Sequence, residues 1–178
     1  MIEVTHLTKR FGSTKAVDDL SFTVQDGQAV TFWGANGAGK TTALRCLLNL
    51  IPFEGTVSVD GLNVKEHGKE ARHLVGFVPQ ELSFHDDMTV QETILFYARL
   101  KKVERDYDFI PLLTRLQMID LLHKRVGDLS GGMKQRLALT LALLSDPPIL
   151  FLDEPTVNLD IRAREDFLLL LLELKRAG

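Results

Sequence analysis

Gly34-Ala35-Asn36-Gly37-Ala38-Gly39-Lys40-Thr41-Thr42 is the stretch whose reading decides the fold. Before it runs Ala29-Val30-Thr31-Phe32-Trp33, an apolar segment predicted as a buried strand. After it runs Ala43-Leu44-Arg45-Cys46-Leu47-Leu48, predicted as a helix. The pattern G-x-x-x-x-G-K-T in a strand–loop–helix setting is that of a phosphate-binding P-loop. Gly34, Gly37 and Gly39 let the backbone curl so that successive N–H groups point inward as a nest for anionic oxygens. The helix opening near Lys40 aims its positive end at the same place. Lys40 adds a full charge for β- and γ-phosphates, and the Thr41 hydroxyl suits Mg²⁺. A plain Gly-rich turn would need none of the four fixed residues, so the pattern implies a nucleoside triphosphate ligand.

Composition narrows the rest. A chain of 178 residues suits one domain burying about 70% of its unfolded surface if complete. It is 45% hydrophobic and 25% charged, an ordinary globular balance. With net charge −3 and a pI near 5.9, no global basic field points to nucleic acid. Lys9-Arg10, Lys101-Lys102 and Lys124-Arg125 read as solvated surface pairs. The single Cys46 permits no disulfide within the chain and fits a reducing compartment. Met1-Ile2-Glu3-Val4 lacks a signal-peptide layout, and no apolar run approaches the ~20 residues that span a bilayer.

Read in order, residues 2–33 suggest short β pieces, with Ile2–Thr5 and Ser21–Val24 alternating and Asp26-Gly27 as a hairpin signal. Thr56–Val59 and Val75–Val78 are predicted strands, and Lys65–Leu74 a short surface helix. Residues 81–128 change to helical patterning. Thr89 and Glu92 form a capping-box pair, and Val90, Ile94, Tyr97, Ala98 and Leu100 fall largely on one helical face. Ile110, Leu113, Leu116 and Met118 suggest a second helix, and Leu121-Leu122 a third. Ser130 is expected to cap a helix over 132–145, Ile149–Leu152 to form a buried strand, and Ile161–Ala177 a helix. The run Leu168–Leu172 predicts burial of that last helix on more than one side. The fold class is α/β, a P-loop NTPase (RecA-like) core with an N-terminal antiparallel β subdomain and a helical insert. The organisation is one domain over 1–178, with 1–80 and 129–178 as the core and 81–128 as the helical subdomain.

An apolar strand ending in Asp153-Glu154 is the expected partner of a P-loop. Asp153 would hold the Mg²⁺ shell through water, and Glu154 would polarise the attacking water as a general base. Ser130-Gly131-Gly132 supplies a second anion site, a capping hydroxyl and two glycines at a helix N-terminus. With Leu129 and Met133-Lys134-Gln135-Arg136 it resembles the signature motif of ATP-binding cassette (ABC) ATPases. Phe151–Thr156 is similar to that family's Walker B segment, Val157-Asn158-Leu159-Asp160 to its D-loop, and Val78-Pro79-Gln80 to its Q-loop. The order and spacing match from residue 2 to about residue 177.

The resemblance implies individual roles. Phe11, which residue type alone reads as a core aromatic, matches the position that stacks on adenine; the family more often has Tyr. Val17 would pack on adenine or ribose. Gln80 matches the residue that senses Mg²⁺ and links the site to a moving helical subdomain. Ser130, Gly131 and Gly132 would meet the γ-phosphate of ATP bound to a second copy, and Asp160 of the D-loop joins the nucleotide-contacting set. The catalytic set is Glu154, Gln80 and Lys40. The metal set is Thr41, Gln80 and Asp153, with ATP and Mg²⁺ as cofactors. The family forms head-to-tail dimers that sandwich two ATPs and alternate between closed and open.

Three departures stand against the family pattern. Met133 replaces the commoner Gln, and Val157-Asn158 replaces the commoner small residues of the D-loop. The family also carries a γ-phosphate-contacting histidine on a strand after the last helix. Here His6, His67, His73, His85 and His123 all precede Asp153. In related P-loop folds that strand lies between the P-loop and Walker B strands, and its absence would leave unpaired ladder groups and a gap in the core. The expectation is therefore a C-terminally truncated sequence or fragment that folds poorly alone and hydrolyses ATP weakly. A cooperative melt and turnover matching a longer form would contradict it.

The implied function is the ATPase subunit of an ABC transporter, acting as a homodimer or heterodimer docked on transmembrane permease subunits at the inner face of the membrane. Met133 and Phe84–Lys102 resemble exporter-type members. An alternative is a non-transport ABC ATPase acting on ribosomes or nucleic acid, which the acidic pI and the absence of a second cassette or long coiled coil disfavour. A third reading is an ATP-gated dimerisation module with little turnover.

Overall fold

Strand β1 (Ile2–Phe11) turns through Gly12-Ser13 into β2 (Thr14–Val24), and the two pair antiparallel. The hairpin is longer than the two short runs expected from alternation, because β-bulges break the period and hide its continuity. Ile2 and Val4 point into the core, and then parity slips so that Leu7, fully buried, faces the same way. The register shift between Val4 and Leu7 carries His6 at φ 52°, an extra residue of the kind that keeps an apolar face turned inward. Across from this hairpin, after helix α1 (Lys40–Leu47), come β3 (Glu54–Val59) and β4 (Leu62–Asn63). The antiparallel sheet has the order β2-β1-β3-β4. Its buried face, Ile2, Val4, Leu7, Val57 and Val59, meets an α1 whose Cys46 and Leu47 are sealed from solvent. Burial pushes the Cys46 thiol above its usual range. Helix α2 (Gly68–His73) falls inside the predicted surface helix. The computed structural model describes residues 1–104 and 106–177, in two units that divide after Val75.

The strand expected over Ala29–Trp33 does not form. Asp26-Gly27 makes a turn, with Gln28 N donating to Gln25 O at 3.1 Å, but no hairpin strand follows. A strand exists only as half of a ladder, and no described residue pairs with 28–36. The apolar run is consequently on the surface: Val30 is 54% and Trp33 96% exposed. Phe32 alone finds an aromatic neighbour, edge-on to Phe22 at 5.4 Å.

The second unit begins at Gly76 and contains all but the first residue of β5 (Val75–Val78), which pairs with β6 (Ile149–Leu152). Gly76 is required by close approach: a Cβ there would come within 2.8 Å of the Ala142 carbonyl oxygen and 3.0 Å of Pro147. Between the strands lie α3 (Val90–Leu100), α4 (Ile110–Arg115), two 3₁₀ turns at 119–121 and 126–128, and α5 (Gly131–Leu143). The capping box at α3 is present as expected, Thr89 Oγ1 accepting from Glu92 N and Glu92 Oε2 accepting from Thr89 N at 2.8 Å. The bonds its carboxylate accepts from Thr89 N and, at 2.9 Å, from Thr89 Oγ1 hold the Glu92 carboxyl below its ordinary range. Val90, Ile94 and Ala98 are buried with Leu113, Leu116 and Met118, whereas Leu100 and Ile110, expected on the same faces, are exposed.

Helix α6 (Ile161–Ala177) corrects another expectation. Phe167 and Leu170, one turn apart, enter the core with Leu137 and Leu141, while Leu168, Leu169 and Leu172 are exposed. Continuous apolar composition predicts burial all round, but the helix has a packed neighbour along one stripe only.

Candidate active site

Helix α1 opens at Lys40, and Gly39 is its N-cap, with φ 90° and ψ 8° and no side-chain cap. That left-handed backbone belongs to glycine, and a Cβ there would also drive into the Ala16 carbonyl oxygen. The loop is thus seated against β2, with Val17 Cγ2 3.6 Å from the same point. Val17, expected beside adenine or ribose, is a buried residue under the loop. Gly37 is likewise left-handed at φ 83°. No acidic residue lies in the first turn of α1, so the helix start keeps its positive character for an anion. Lys40 Nζ donates to Gly34 O at 2.9 Å and Ala35 O at 3.1 Å, curling its ammonium over the loop. Phosphate oxygens suit this arrangement: backbone donors, a cradle that a Cβ would fill, and a cation already held on the loop. Phe11, at the end of β1, is 54% exposed with Lys9 Nζ 4.8 Å above its ring, which corrects the core-aromatic reading of its residue type.

The second unit carries the carboxylates. Beyond β6, Asp153 N donates to Val78 O at 3.0 Å, extending the β5–β6 ladder, and Asp153 is buried. Glu154 then departs from strand geometry at φ 47°, a left-handed conformation of the kind concentrated at functional sites. Its Oε2 accepts from Gln80 Nε2 at 3.1 Å, so the residue two beyond β5 meets the residue two beyond β6. Sequence separation of 74 positions gave no direct sign of this contact.

Ser130 caps α5 as expected, its hydroxyl accepting from Met133 N at 3.3 Å, although the helix begins at Gly131 rather than Gly132. A Cβ at Gly132 would lie 3.0 Å from Ala163 Cβ, so this glycine lets the starts of α5 and α6 approach. Gly131 lies beside the Asn158 carbonyl. Asp160 Oδ1 accepts from Ala163 N at 2.9 Å, which makes its carboxylate the cap of α6. Gln80, Gly131, Lys134, Gln135, Glu154 and Asn158 line a cleft of about 300 Å³. Gln135 has no separate role in the sequence pattern, since nothing in the spacing of Met133–Arg136 distinguishes it from its neighbours.

The family model described as ABC transporter matches residues 17–157. Nod factor export ATP-binding protein I of Burkholderia lata is 43% identical over 167 residues, covering 92% of this chain and 55% of that protein. ABC transporter ATP-binding protein NatA of Bacillus subtilis is 36% identical over 185 residues, covering 99% of this chain and 75% of that protein. Among solved structures, an ATP-binding subunit of an ABC transporter superposes with a TM-score of 0.84 at 26% identity, covering 99% of this chain and 75% of that one. A dimeric ATP-binding cassette in a post-hydrolysis state, bound to ADP and Pi, gives 0.80 at 26% identity, covering 98% and 83%. The chain spans about half the length of the Nod factor export relatives it matches.

Proposed function

Because this chain belongs to the ABC transporter ATP-binding family, we propose that it binds MgATP and hydrolyses it as the motor subunit of a membrane transporter. The observation that carries the hydrolytic part is the 3.1 Å contact between Gln80 and Glu154, which pairs the end of β5 with the carboxylate beyond β6. In this reading Gly34–Thr42 cradles the phosphates through its N–H groups, and Lys40 moves its donors from the loop carbonyls to phosphate oxygens. An ammonium has three donors, so the exchange is a change of partner without loss of hydrogen bonding. Phe11 stacks on adenine with its exposed face. Val17 shapes the floor below the nucleotide.

Thr41, Gln80 and Asp153 supply hard oxygen donors suited to Mg²⁺, an ion that keeps waters and substrate phosphates in the rest of its shell. The metal, when bound, neutralises charge on the transferring phosphoryl group. Glu154 takes the proton of the attacking water, and Gln80 fixes the orientation of its carboxylate. Ser130, Gly131 and Gly132 present a capped helix start to the nucleotide of a second subunit, and Asp160 holds the D-loop by capping α6. Residues 81–128 serve as the helical subdomain of one ATPase domain, and the rest as its core.

The dimeric form of a solved neighbour supports a two-subunit assembly. The name of the Nod factor export relatives supports the direction of export, and transmembrane permease subunits are the partners such a motor would drive. Among the described residues no helix is long and apolar enough to cross a membrane. A cytoplasmic subunit bound peripherally at the inner face fits that reading. The experiment is titration of MgATP into the full-length protein by calorimetry. Wild type is expected to bind and Lys40→Ala to lose at least about 100-fold, since charge-assisted contacts are worth roughly 3 kcal/mol together. Equal affinity in the two would overturn the assignment.

A further inference from the structure

Gln135 carries a chemical debt that no other described residue shows. It lies inside α5, is 6% exposed, and its Nε2 is buried with no hydrogen-bond partner. A buried amide donor without an acceptor is costly, whereas an apolar side chain of the same shape would not be. Residues 137–142 of the same helix are apolar apart from Thr140, whose hydroxyl is satisfied by the Arg136 carbonyl at 2.8 Å. The lone unsatisfied donor is therefore a local exception in a helix that otherwise meets its polar groups.

Its surroundings supply acceptors. Gln135 lines the cleft that Gln80, Glu154 and Asn158 also line. Across that cleft, the segment 154–159 is held by turn bonds at the long end of the range, Val157 N to Glu154 O at 3.2 Å and Leu159 N to Thr156 O at 3.3 Å. Glu154 itself stands in a left-handed conformation, and its contact with Gln80 restrains one carboxylate oxygen.

Resting on the hydrolytic reading above, we propose that Gln135 is a positioning residue. Its amide donates to the 154–158 segment when the cleft narrows around bound ATP, and this fixes Glu154 for proton abstraction from water. Gln80 orients the carboxylate from the β5 side, and Gln135 completes the clamp from α5. The proton moves from the attacking water to Glu154; Gln135 exchanges none.

The test uses Gln135→Met, which keeps length and shape and removes the donor. In the full-length protein its melting temperature is expected to equal or exceed that of wild type. The KM for MgATP should stay within twofold, and kcat should fall at least fivefold. The Gln135 side-chain amide signal, assigned by its loss in Gln135→Met, should also move downfield when wild type is saturated with AMP-PNP. An unchanged kcat, a melting temperature that falls in step with kcat, or an amide signal unmoved at saturation overturns the proposal. Wild-type protein that binds AMP-PNP but releases no phosphate from MgATP instead overturns the hydrolytic reading, so the two failures are distinguishable.

Discussion

Gly39→Ala is the sharpest perturbation of the P-loop, because two independent penalties meet at one atom. Gly39 sits at φ 90°, and a Cβ there would collide with the Ala16 carbonyl oxygen of β2. The left-handed backbone costs an L-residue about 1–2 kcal/mol. Forcing a methyl group against packed backbone costs about 1–3 kcal/mol more. The loop from Gly34 to Ala38 is exposed, so it is the part that yields, while the β1–β2 hairpin below it is anchored by its ladder. Binding must then restore the native loop, and affinity falls by the cost of restoring it. About 2–5 kcal/mol corresponds to roughly a 30-fold to more than 1,000-fold rise in Kd. Trp33 is the chain's single tryptophan, it is 96% exposed, and it directly precedes Gly34, so its fluorescence is the natural titration signal. The melting temperature should change far less than the affinity. A Kd for MgATP within threefold of wild type would refute the argument that this backbone conformation makes the phosphate cradle.

Other outcomes follow from the same structure. Phe11→Ala should raise the Kd for ATP by roughly 5- to 100-fold, stacking on a base being worth about 1–3 kcal/mol, while leaving inorganic tripolyphosphate binding unchanged. Phe11→Tyr should restore it, and calorimetry with both ligands decides. Phe167→Ala, at a site 1% exposed, should lose about 3–5 kcal/mol in a urea melt. Glu92 has a depressed carboxyl pKa, so its stabilising contribution is present above its ordinary value of 4.5 and is lost as pH falls through the folded value. The melting-temperature gap between wild type and Glu92→Leu should therefore be present at pH 7 and shrink below pH 4.5.

What the sequence made legible was whatever local chemistry or a family motif determines. The Thr89–Glu92 capping box needs only four consecutive residues, and it stands as expected. The P-loop pattern needs eight, and within it Gly37 and Gly39 take up left-handed turns. Strand existence is a different matter. Ala29–Trp33 has strand composition but no ladder partner among the described residues, and composition cannot supply one. β1 and β2 were legible only at their outer ends, because bulges near His6 and Asp19 break the alternation that marks a strand. In α6 the leucine run conceals which face has a neighbour, and only packing separates Phe167 and Leu170 from Leu168 and Leu169. Of the candidate site, residue identities could be read while pairings could not. The Gln80–Glu154 contact joins positions far apart in sequence, and the Asp160 cap and the unsatisfied Gln135 amide are visible only once side chains are placed.

The central claim is that Glu154 serves hydrolysis rather than binding, and phosphate release tests it most directly. Full-length wild-type and Glu154→Gln proteins are compared with saturating MgATP, with Kd measured in parallel. The expected result is at least about a 100-fold loss of turnover in Glu154→Gln, a general base typically contributing about 10²–10⁴-fold. The Kd should be unchanged, and the variant should accumulate as a dimer on gel filtration with ATP. Turnover within threefold of wild type, or a variant that remains monomeric with ATP, would contradict the account.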